Sequence, residues 1–140
     1  MEKPKVPLAQ VVYGQIVYWL CIVATLICII GPALSIAFPN NNLIEPQYLF
    51  GTLWNGSNPE TVWQELGGGF QGGHFWINNL NTWDGFTQLG IVIGCASAGL
   101  GLLVASVFFL IEKPHSYKWA LLSMFVASLV FLAAVGIYHI

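Results

Sequence analysis

The sequence predicts an all-α integral membrane protein with three transmembrane helices, one standing apart and two joined as a hairpin. Three observations carry this. First, 56% of its 140 residues are hydrophobic and 7% charged, with a mean hydropathy of +0.72, whereas soluble domains carry about a quarter charged residues. Second, apolar runs at about 11–38, 87–111 and 119–140 can each cross a hydrocarbon core of about 30 Å at about 1.5 Å per residue. Third, the polar residues collect outside these runs, in a long segment 39–86 rich in Trp and Gly and in a turn at 112–118. The chain reads as a single membrane domain, 1–140.

The first ten residues, with Lys3 and Lys5, resemble the charged start of a secretory signal. The apolar run after them, Val11–Phe38, is far longer than a signal core of about 7–15 residues, so an uncleaved span is expected. It opens with Tyr13, Tyr18 and Trp19, aromatics that favour the headgroup level. Pro32 after Gly31 removes one backbone hydrogen bond and predicts a kink in the outer third. Pro39 and Asn40–Asn42 end the span.

The segment 39–86 holds Trp54, Trp63, Trp76 and Trp83, seven glycines between Gly51 and Gly73, and no Lys or Arg. A structureless connection of this length is uncommon, so short helices lying at the membrane interface are expected, with the four tryptophans forming an interfacial cap. The clearest is Pro59–Leu66. Asn58 suits its N-cap, Pro59 its first position and Glu60 its positive end, and Gly67–Gly69 stop it. Asp84 suits the N-cap of the second span.

That second span carries a stripe of small residues in steps of three and four: Gly90, Gly94, Ser97, Gly101 and Ala105. Lipid gives helices no hydrophobic reason to associate, so close contact depends on small residues that let backbones approach. The stripe predicts a helix-packing face, for a partner inside the chain or outside it. After the turn, where Ser116 suits an N-cap, the third span runs 119–140.

All four Lys lie within the first five residues or at 113–118, while 39–86 carries only acidic charge. The positive-inside bias puts the N-terminus and the turn in the cytoplasm and 39–86 and the C-terminus outside. A prokaryotic inner or cytoplasmic membrane is the expected location, with the lipid bilayer as first partner.

Candidate chemistry is sparse. No Walker A, GxGxxG, HExxH, G-x-S-x-G or CxxC motif occurs, and no basic cluster suggests nucleic acid. Cys21, Cys28 and Cys95 fall inside the spans and read as packing residues. No span holds Asp, Glu, Lys, Arg or His away from its ends, which argues against a pump, channel or ion-coupled transporter. Mid-span hydroxyls are expected to bond their own helix. His74 and His139, both on the expected outer side, are the candidate ligands for a haem or pigment, with a quinone among the aromatics. No cofactor is required, and the blander reading is a loop histidine and an interfacial one. Asn55-Gly56-Ser57 matches a glycosylation acceptor.

These features fit a non-catalytic accessory subunit of a multi-subunit membrane complex, respiratory or photosynthetic, packed against larger membrane subunits and taking part in electron transport without being an enzyme itself. Two alternatives stand beside it. One is a haem-, pigment- or quinone-binding subunit using His74 and His139; the other is a small homo-oligomeric transporter or channel.

Overall fold

The structure is a computed structural model and describes residues 5–69, 72–112 and 117–136. It is all-helical, with no strand among the described residues. Five α-helices follow in order: α1 (Leu8–Ala37), α2 (Pro46–Trp54), α3 (Pro59–Leu66), α4 (Trp83–Glu112) and α5 (Tyr117–Gly136). Short 3₁₀ turns lie at Pro39–Asn41 and Phe75–Ile77. Three helices, α1, α4 and α5, are long and apolar enough to cross a membrane. At 30 residues each, α1 and α4 are about 45 Å long, more than an upright helix needs.

Residues form two compact units, Met1–Val23 with Val92–Ile140, and Ala24–Ile91. In the first unit, α1 and α4 run antiparallel at close range. A Cβ at Gly101 would lie 2.9 Å from the Tyr13 ring and 3.1 Å from Val17, and Cys21 Sγ lies 3.6 Å from Ser97 Oγ. A second small residue of α4, Gly99, meets α5, where a Cβ would lie 3.1 Å from Val130. The buried side chains of this unit are small: Ala9, Ser97, Ala105, Ser106, Ala120, Ser123 and Ala127. Large side chains such as Tyr18, Trp19, Leu110, Trp119, Phe125 and Leu129 stay exposed. Small inside and large outside reverses the order of a water-soluble core, and it is the order that backbone approach between helices requires.

The second unit is built differently. Here α1 and α4 again run antiparallel, with Gly90 against Ile27 and Cys28 and Gly31 against Thr87. Around their ends the described residues between Phe38 and Thr82 are tied down by directional bonds. Asn58 Oδ1 accepts from the Thr61 N–H at 2.8 Å and caps α3, at the bounds expected from sequence. Gly67 and Gly69 both donate to the Trp63 carbonyl, with Gly68 at φ +68°, where a side chain would be strained. The other short helix, α2, had no clear signal. Pro46 supplies its first position, and it ends in a Schellman motif, with Ser57 N–H bonded to Thr52 O and Gly56 N–H to Leu53 O.

One expectation is corrected. The cap of α4 is Thr82, whose Oγ1 accepts from Gly85 N–H at 3.2 Å, and the helix therefore starts four residues before the expected 87. Asp84 lies in the first turn, where its charge is still favoured, and its carboxylate is drawn to other donors described next. Pro32 sits inside a continuous α1.

Candidate functional site

Asp84 is the polar anchor of the second unit. Its Oδ1 accepts from Leu43 N–H at 3.0 Å and Gly85 N–H at 3.2 Å. Oδ2 accepts from Leu43 N–H at 2.9 Å and Ile44 N–H at 3.2 Å. Three N–H groups thereby converge on the carboxylate, with that of Leu43 shared between its two oxygens, against about four lone-pair sites. Two asparagines extend the strap: Asn41 donates to Asn81 O at 3.0 Å, and Asn42 donates to Ser35 O and Pro39 O. Trp83 packs on Phe38 with ring centroids 6.5 Å apart, which leaves its buried Nε1 without a hydrogen-bond partner.

Beside this strap lies a half-open cavity of about 350 Å³. The last turns of α1 contribute Pro32, Ser35 and Ile36; the strap contributes Ile44; α2 gives Pro46, Leu49 and Phe50; α3 gives Val62 and Trp63; the second 3₁₀ turn gives Phe75, and α4 gives Asp84. Trp63 and Phe75 meet edge to face at 5.7 Å. With Asp84 committed to backbone donors, the walls the cavity offers a bound molecule are largely apolar. At the small end of ligand-pocket volumes, it suits a compact apolar group.

The candidate residues fall as follows. Gly90, Ser97 and Gly101 meet α1; Ala105 is buried at 2% exposure, and Gly94 is half-buried, with its carbonyl accepting from Ser97 Oγ at 2.7 Å. Three of the five stripe residues thus face α1 within the chain. Of the tryptophans, Trp63 lines the cavity, Trp76 and Trp83 are half-buried and Trp54 is 88% exposed. His74 is half-buried before the second 3₁₀ turn, its carbonyl accepting from Ile77 N–H, and it does not line the cavity. His139 lies outside the described residues. Among the described residues no three His, Cys, Asp or Glu side chains come together as a metal site.

Sequence reasoning missed the cavity and Gly99. The cavity's walls come from stretches between residues 32 and 84, with no spacing to link them. Gly99 stands off the stripe, so only the placement of α5 reveals its purpose.

A model of a protein family with no characterised function matches residues 9–137. The chain belongs to that family. An uncharacterised protein of Archaeoglobus fulgidus is 27% identical over 132 residues, which cover 89% of this chain and 85% of that protein. No solved structure matches. The family spans all three long helices and the segment between the first two.

Proposed function

We propose that this chain is an integral membrane protein, a non-catalytic accessory subunit of a larger electron-transfer complex, with its N-terminus in the cytoplasm and residues 39–86 outside. One observation carries the reading. The Ser and Thr hydroxyls of α4 and α5 donate to carbonyls of their own helix: Thr87 to Trp83, Ser97 to Gly94, Ser106 to Leu103, Ser123 to Trp119 and Ser128 to Phe125. Side chains occupied in this way have spent their one donor on their own backbone and keep only acceptor capacity. What the helices present outward is large and apolar, including the edge-to-face pair Tyr18 and Trp19 at 5.5 Å, a surface for lipid and for neighbouring subunits.

Purification of the tagged chain in mild detergent tests this. Larger membrane subunits are expected in fixed stoichiometry with it, whereas a homo-oligomer that conducts ions in liposomes would replace the reading with the transporter alternative. Within the complex, Trp76→Ala is expected to weaken assembly by about 2 kcal/mol, as aromatic anchors at interfaces do, and His74→Ala to be nearly silent.

The cavity favours a second reading, in which the subunit holds the ring of a quinone or pigment against Trp63 and Phe75. It moves the ligand from the histidine pair to the cavity beside Asp84. Leu49→Trp, which fills the cavity, should then release a lipophile from the purified complex while His74→Ala does not. Loss of a haem band on His74→Ala would return the site to the histidines.

A further inference from the structure

We propose that Asn55 is an N-glycosylation acceptor. It is the one asparagine followed at the second position by Ser or Thr without an intervening proline; Asn58, three residues on, is followed by Pro59 and Glu60.

The sequence pattern singles out Asn55, and the structure leaves its side chain uncommitted, as it does not for four other asparagines. The side chains of Asn41, Asn42, Asn58 and Asn79 are committed to holding the chain, each hydrogen-bonded to backbone. The Asn55 carboxamide is exposed and makes no hydrogen bond among the described residues. It sits at the C-cap of α2, and the space beside it is open: a Cβ on Gly51 or on Gly56 would meet nothing within 4 Å. A sugar on Nδ2 therefore displaces no contact. Gly56, at φ +81°, allows the tripeptide to turn tightly once folded. With nine residues, α2 is too short to hold as an isolated helix, so a transferase can take Asn55-Gly56-Ser57 in extended form before the helix settles. The proposal rests on the reading that residues 39–86 face outward, the side on which glycans of secreted and surface proteins are displayed.

The donor class is a lipid-linked glycosyl phosphate. The Asn55 Nδ2 attacks C1 of the first sugar; the C1–N bond forms as the C1–O bond to phosphate breaks. The lipid phosphate leaves with that electron pair, and the amide nitrogen gives up one proton. Nothing is oxidised or reduced. The glycan would stand beside Trp54, the most exposed large apolar residue of the described chain, and cover it with a solubilising group.

The test is the intact mass of the chain purified from its native membranes, with glycopeptide mapping. A mass above the 15.3 kDa of the sequence, localised to Asn55, is expected. Asn55→Gln and Ser57→Ala should each lose the whole increment and Asn58→Gln should keep it. A wild-type chain at its sequence mass overturns the proposal, as does an increment that survives Asn55→Gln. Gln47→Cys, on an exposed position of α2, tells the two failures apart. Labelled from outside by an impermeant thiol reagent, it leaves the topology standing and removes only the glycan; unlabelled in intact cells but labelled after lysis, it removes both.

Discussion

The two units hold the same pair of helices, α1 and α4, by different means. In the first, contact rests mainly on shape: Gly101 makes room for Tyr13 and Val17, the polar contact between the helices is the weak Cys21 Sγ–Ser97 Oγ bond, and the hydroxyls of Ser97 and Ser106 donate to their own helix. In the second, shape is joined by direction. Asp84 gathers N–H groups from Leu43, Ile44 and Gly85, and asparagines pin the flanking turns. The difference follows from what each region must order. Helices inside an apolar run satisfy their own backbone and need only to fit. A connection of irregular backbone has free N–H and C=O groups, and each needs a partner.

The comparison breaks most readily at Asp84. Asp84→Ala strands the N–H groups of Leu43 and Ile44, and each lost charge-assisted bond costs about 1.5–3 kcal/mol. A destabilisation of about 3 kcal/mol is expected, read as a lower thermal midpoint in detergent. Asp84→Asn, which keeps one good acceptor, should recover part of it. Equal loss in both variants would mean that the charge at the α4 start matters more than the bonds.

Next comes the first unit. Gly101→Leu forces a side chain into the Tyr13 ring, and overpacking of this kind costs about 1–3 kcal/mol. Leu103→Ala, at an exposed position, should cost less than 1 kcal/mol by the same measurement. If the two changes prove equal, close packing is not what holds α1 to α4 there.

A smaller effect is expected at Asn58→Ala, about 1 kcal/mol for a lost N-cap, read as faster hydrogen exchange at Thr61 and Val62 with the long helices unaffected. Smallest is Trp83→Phe. It deletes an indole N–H that has no partner and keeps a ring against Phe38, so the thermal midpoint should move little.

The two regions were also unequally legible in the sequence. The long helices announce themselves by composition and length, and the spacing of Gly90, Ser97 and Gly101 gives away the face that meets α1. In the second unit, α3 was legible because Asn58, Pro59 and Gly67 each act on backbone within a few residues. The α4 start was misread because Asp84 and Thr82 are both competent caps, and the choice between them depends on Leu43 and Ile44, some 40 residues away. The segment α2 has no charge and no capping side chain, so Pro46 alone marked its beginning. The cavity was invisible for the same reason as the strap: distant stretches meet there, and only the fold brings them together.

The close approach along α4 also sets the terms on which this sequence can drift. Where a neighbour already occupies the place of a Cβ, at Gly31, Gly90 and Gly101, selection can accept almost nothing larger, while the exposed positions Ile91, Cys95, Val107 and Leu110 need only remain apolar. Diverging copies would therefore keep a sparse pattern of glycines at fixed separations and exchange most of what lies between them.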